Sequence, residues 1–222
     1  MSTPGGIGPG KRAGLTREAV IDQALAMIES QGPDALSMRR LASEFGVSTN
    51  TIYWHIGSRE ELINAIIEQV ADRQAQLITT GETPFERVLC VARHLWQQAL
   101  ENRNVTSLAH QTGLTAVLQF PLHVALTSEL TTAGLRGDEA RDAARAILMC
   151  LAGFLVVAFR AATPEPSSAS GRSTAHLWAN VDDATLDAAT RRSMQTPPDL
   201  GPLFERTVAA VIGSFVAPTP GR

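Results

Sequence analysis

The sequence predicts an all-α protein, a small N-terminal three-helix domain with a helix-turn-helix followed by a larger α-helical domain. Three observations predict it. Apolar residues recur at i, i+3, i+4 and i+7 in one segment after another, the period of a helix face, and no stretch alternates convincingly with the period of a strand. Helix starts are spelled out by Ser/Thr-x-x-Glu boxes at Ser58–Glu61 and Thr83–Glu86, where each side chain can accept the other's backbone N–H. Helix stops follow at Gly32-Pro33, at Gly46 and at Gly134.

The elements follow from these signals in chain order. Residues 1–14 are rich in Gly and Pro, have no apolar core, and read as a disordered tail. The first helix begins at the Thr16 cap, carries Val20, Ala24, Met27 and Ile28 on one face and stops at Gly32. Ser37 caps a second helix bearing Met38, Leu41, Ala42 and Phe45. Gly46 turns the chain into a third, very short helix capped by Ser48, and these helices close a first domain over residues 15–60. The remaining 61–217 form the second domain. It opens with a long helix from Ser58 that carries Leu62, Ile66 and Val70 beside Ile63 and Ile67. Further helices are expected from Thr83, over Val105–Gln111, over Thr115–Thr132 with a kink at Pro121, over Asp138–Ala162 and over Leu200–Val216. Residues 164–171 read as a linker, and a short polar helix is expected around Asp182–Met194.

Composition narrows the function classes. The formal charge of −3 provides no overall attraction to nucleic acid, so any such affinity must come from local clusters such as Lys11, Arg12, Arg17 and Arg39-Arg40. Cys90 and Cys150 are far apart and form no Cys-x-x-Cys, which points to buried free thiols rather than a disulfide or metal pair. No two histidines stand at i, i+4, so no metal or other cofactor is expected. The apolar run Ile147–Phe159 would extend only about 20 Å as a helix, against a bilayer core of roughly 30 Å. A soluble, cytoplasmic chain with no membrane partner is expected. No Gly-x-Ser-x-Gly, His-Glu-x-x-His or Walker loop occurs, and an all-α enzyme is the weaker alternative.

The third helix carries the chemistry. Its buried side needs little more than Val47, Ile52 and Ile56, which leaves Thr49, Asn50, Thr51, Tyr53, Trp54 and His55 to face outward. Hydroxyls, an amide and three rings exposed on one short helix match the edges of bases and the phosphates of a DNA major groove. Helix, glycine turn and polar helix form the pattern in which the second helix reads double-stranded DNA. Arg39, Thr49, Asn50 and Thr51 are the expected base contacts; Arg40, Tyr53, His55 and Arg59 are the expected phosphate contacts. Ser48 caps the reader, and Trp54 can serve either purpose or cover the interior.

At this point the chain resembles the TetR (tetracycline-repressor) family of bacterial transcription regulators. The residues that carry the resemblance are Ala24, Ile28, Gly32, Leu36-Ser37-Met38, Leu41-Ala42, Gly46-Val47-Ser48, Ile52-Tyr53-Trp54-His55 and Arg59-Glu60-Glu61-Leu62. It covers roughly residues 16–65; beyond them the chain matches only in helical character and length. The resemblance implies a ligand-responsive repressor that binds a near-palindromic operator as a homodimer, with the second domain serving ligand binding and dimerisation. It implies an inducer pocket among the middle helices, where Trp96, His110, Gln111, Phe120, His123 and Phe154 are the candidate contacts. No metal-and-drug-binding pattern follows downstream, so the resemblance does not name the inducer. A helical dimeric DNA-binding protein without an inducer is the nearest alternative.

Overall fold

In the computed structural model the structure describes residues 15–76, 78–161, 174–179, 181–182 and 185–217. Helix α1 (Arg17–Gln31) starts where the Thr16 hydroxyl accepts the Ala19 N–H at 3.1 Å, and it ends where the Gly32 N–H reaches back to the Ile28 carbonyl. A single 3-10 turn (Pro33–Ala35) leads to α2 (Met38–Phe45), α3 (Thr49–Ile56) and α4 (Arg59–Gln74). These are followed by α5 (Pro84–Glu101), α6 (Arg103–Gln111), α7 (Thr115–Thr132), α8 (Gly137–Ala161), α9 (Thr174–Ala179), α10 (Ala188–Met194) and α11 (Leu200–Gly213). Among the described residues there is no strand, as the period of the apolar residues requires.

The chain divides into two compact units. The first holds the described residues of Met1–Ile78 and Gln97–Ala125, the second those of Thr79–Trp96 and Leu126–Arg222. In the first, α1 is the central helix: Val20, Ile21, Ala24, Leu25, Met27 and Ile28 are all buried, on more than one side of the cylinder. They share one cluster with Met38, Leu41 and Ala42 of α2, Ile52 and Ile56 of α3, and Leu62, Ile63, Ile66, Ile67 and Val70 of α4. Val105, Leu108 and Ala109 of α6 and Leu118 of α7 complete that cluster. The Asn104 amide donates to the Glu29 carbonyl at 2.9 Å and pins α6 to the last turn of α1.

In the second unit α8 packs along α11, whose Phe204, Val208 and Ile212 are buried. Arg93 of α5 grips the Glu205 carboxylate of α11 with Nε at 2.7 and 3.0 Å. Arg87 and Glu129 pair at 2.9 Å between α5 and α7 and are both mostly buried. The Thr83–Glu86 box forms as the sequence indicates, with Glu86 N–H on the Thr83 hydroxyl at 3.2 Å and Thr83 N–H on the Glu86 carboxylate at 3.0 Å.

Three expectations need correction. The α8 helix runs 25 residues and is long and apolar enough to cross a membrane, because helical residues on both sides of the run Ile147–Phe159 extend it. Arg141, Asp142, Arg145 and Arg160 flank that run on its exposed surface. The polar helix expected over Asp182–Met194 is confined to α10, which starts where Asp187 accepts the N–H groups of Ala189 and Thr190. A further short helix, α9, precedes it. Cys90 and Cys150 are free thiols, as expected, but half-buried rather than buried. The expected tail, with Lys11 and Arg12, and the linker 164–171 lie outside the described residues.

Candidate nucleic-acid interface

The α2–turn–α3 geometry is built from two caps and a glycine. Ser37 accepts the Arg40 N–H at 3.2 Å to start α2, and Gly46 closes it in the left-handed region at φ 64°, ψ 32°. A side chain is disfavoured at that φ, which is why glycine stands there. Phe45 and Val47 on either side pack against the core and fix the turn. Ser48 then accepts the Thr51 N–H at 3.2 Å, and its hydroxyl lies 2.9 Å from the Thr51 hydroxyl.

Helix α3 is anchored by fully buried Ile52 and by Ile56. Asn50, Tyr53 and Trp54 stand opposite them at i, i+3 and i+4 and so share one face. Tyr53 is 46% exposed and Trp54 82%, which is costly for rings of this size unless a partner covers them. The Trp54 ring meets His55 edge-on, with centroids 4.8 Å apart, and His55 is half-buried beside it.

The sequence-named residues separate into groups. Arg39 of α2, Asn50, Tyr53 and Trp54 of α3, and Arg59 at the first position of α4 are exposed. Thr49, Thr51 and His55 are partly exposed. Thr51 is drawn into the cap of its own helix, and Arg40 donates from its guanidinium to the Gln31 side chain at the end of α1. Arg40 is nevertheless exposed, like Arg39 beside it.

The junction between α3 and α4 contains a feature that spacing alone did not reveal. Gly57 takes φ 86°, ψ −132°, and a Cβ on it would lie 2.0 Å from Glu61 Oε2. Glu61 accepts the Ser58 N–H at 2.5 Å while Ser58 accepts the Glu61 N–H at 3.1 Å. Those backbone and hydroxyl donors hold the Glu61 carboxyl below the usual carboxylate range. The reading helix is thus joined to α4 through one glycine clasped by a carboxylate. The only signal in the sequence is a glycine directly before a capping box.

The six candidate ligand contacts do not form one group. Trp96 and Phe154 come together in the second unit, with centroids 6.1 Å apart and edge-on, and both pack on Phe204. Phe204, stacked on Trp96 at 4.7 Å, was not among the candidates; its helix period marked it only as core. His110, Gln111 and Phe120 are exposed on α6 and α7 of the first unit, and His123 is half-buried on α7, its imidazole held below its ordinary pKa by burial. The first unit also contains a buried acceptor outside the candidate set. Gln74, at the last position of α4, is 6% exposed, and its Oε1 has no hydrogen-bond partner among the described residues. Among those residues no group of three His, Cys, Asp or Glu is arranged to hold a metal.

Comparisons with known proteins bear on this head and on the whole chain. Residues 20–66 match the model of bacterial regulatory proteins, tetR family. The tetracycline repressor protein class D of Escherichia coli is 32% identical over 90 residues, which are 40% of this chain and 37% of that repressor. The class C repressor of Escherichia coli is 28% identical over 208 residues, 90% of each chain. The chain thus spans well under half of the first relative's length in that alignment and nearly all of the second's. Among solved structures, apo ActR from Streptomyces coelicolor superposes with a TM-score of 0.70 at 19% identity, over 92% of this chain and 96% of that one. ActR in complex with actinorhodin superposes at 0.67 over 91% and 97%. At this identity the ActR likeness establishes the fold.

Proposed function

We propose that this chain, which belongs to the TetR family of bacterial regulatory proteins, is a ligand-responsive transcriptional repressor that binds a near-palindromic operator as a homodimer. The observation that carries the reading is the α3 face, where Asn50, Tyr53 and Trp54 are exposed on a helix anchored by Ile52 and Ile56. Residues 15–60 read the DNA in this account, and 61–217 bind ligand and dimerise. Asn50, with Arg39 and Thr49, meets base edges. Tyr53, His55 and Arg59 meet phosphates, Arg59 at a helix start whose N–H groups favour an anion. Thr51, which also takes part in the cap of its helix, meets a base edge, the exposed Arg40 meets a phosphate, and Trp54 covers the groove wall.

Two features support the dimer and the ligand. The α8 helix buries one side and leaves Met149, Val156 and Val157 exposed on the other, an apolar surface that a second copy would cover. ActR, similar in fold, has been captured with actinorhodin, and the buried Gln74 carbonyl of this chain has no donor among the described residues, a place that a ligand could fill. A ligand releases DNA only so far as it prefers the conformation in which the two reading helices are misplaced. The protein acts as a soluble cytoplasmic regulator rather than an enzyme.

Selection of duplexes from a random DNA library by the purified protein tests this reading. Recovery of a near-palindrome is expected, its half-sites about one helical turn or a multiple apart. Binding with a steep salt dependence and no recovered motif would indicate a nonspecific binder instead. Absence of binding at low salt would refute DNA recognition altogether.

A further inference from the structure

Helices α1 and α4 meet through two kinds of contact. Most is apolar: Val20, Ala24 and Ile28 share a buried cluster with Leu62, Ile66 and Val70. That packing sets the coarse register of the two helices, ridges against grooves. The directional part is a clasp near the surface. Asp22 Oδ1 accepts the Gln69 amide at 2.6 Å and the Arg73 guanidinium at 3.2 Å. Gln69 and Arg73 stand at i and i+4, so one carboxylate oxygen holds two successive turns of α4. Among the described residues no other side-chain hydrogen bond joins α1 to α4.

The position of α4 matters at both of its ends. Its first turn is attached to the reading helix through the Gly57–Glu61 junction. Beyond its last turn, at Ile78, the chain leaves the first unit for the second. In a dimer assembled through the second unit, a slide of α4 along α1 changes the distance between the two reading helices. We infer that Asp22 is a positioning residue for DNA recognition: its clasp fixes the register of α4 on α1 and thereby the half-site spacing that the dimer accepts. The inference rests on the DNA-reading dimer proposed above.

The test uses the full-length protein, the duplex recovered from the random library and two derivatives with one base pair inserted or removed between the half-sites. Wild-type protein is expected to discriminate against both derivatives. Asp22→Ala is expected to reduce that discrimination by about fivefold, the scale available to an exposed charge pair, with the affinity for the recovered duplex itself much less affected. Arg73→Ala and Gln69→Ala should each give part of the effect, and both remain informative if Asp22→Ala fails to fold. A clasp that only stabilises the fold would lower the thermal midpoint and leave the spacing preference intact. Full wild-type discrimination in Asp22→Ala and Arg73→Ala would overturn the positioning role alone. Wild-type protein without any spacing preference would overturn the dimer reading and the clasp together.

Discussion

At Gly57 the backbone takes a conformation that side chains disfavour. The residue takes a positive φ, and the Glu61 carboxylate occupies the place of a side chain. Gly57→Ala should therefore destabilise the protein by about 1–3 kcal/mol through backbone strain alone. Because the altered junction tilts the whole reading helix, it should also weaken binding to specific and random duplexes alike. Chemical unfolding together with binding on both duplexes checks this; unchanged stability would mean that the junction relaxes freely. At this scale the sequence was legible wherever a residue acts on near neighbours. Ser37, Ser48 and Ser58 cap helices as their spacing says. It was opaque wherever the partner is distant or depends on a rotamer. Nothing in the order of residues tells that Arg40 turns to Gln31, or that Asp22 receives Gln69 and Arg73 from 47 and 51 positions away.

At the scale of elements, the strongly periodic helices were legible and the weakly periodic ones were not. The segments from Thr16, Ser37, Ser48, Ser58 and Thr83 combine a cap with an apolar face, and each forms a helix where these coincide. The α9 helix is only 6 residues long, and α10 has no buried residue to show a face. The α7 helix continues from Thr115 to Thr132 through Pro121, which has no N–H to offer the Val117 carbonyl. An internal proline costs a helix up to about 3 kcal/mol, so Pro121→Ala should stabilise the protein by roughly 1–3 kcal/mol in denaturant titrations. A loss of stability would show instead that packing around the half-buried ring outweighs the missing hydrogen bond.

At the scale of the molecule, the sequence indicated a small head and a larger helical remainder, with α8 and α11 too apolar for two solvent-facing sides. The structure divides that surplus. Ala143, Ile147, Leu151 and Leu155 of α8 are buried, whereas Met149, Val156 and Val157 face outward. The ligand candidates were the least legible part, because a pocket depends on which rings and amides converge in space. Trp96 and Phe154 converge on Phe204, while His110, Gln111, Phe120 and His123 belong to the first unit. If the exposed α8 face joins two copies, Val156→Asp should convert the dimer to a monomer in sedimentation and cost most of the affinity for a palindrome, because one half-site then binds alone. A dimer that persists in Val156→Asp would place the subunit interface elsewhere.

The claim that α3 reads sequence is tested most directly by measuring Asn50→Ala and Tyr53→Phe on the selected duplex, on base-substituted duplexes and on random DNA at several salt concentrations. Asn50→Ala should erode discrimination between related duplexes by about 1–3 kcal/mol at its base pair and leave binding to random DNA nearly unchanged. Tyr53→Phe should weaken binding on all sequences alike, as a phosphate contact does. Equal losses on selected and random DNA for Asn50→Ala, with lost discrimination for Tyr53→Phe, would contradict the assignment of the reading face.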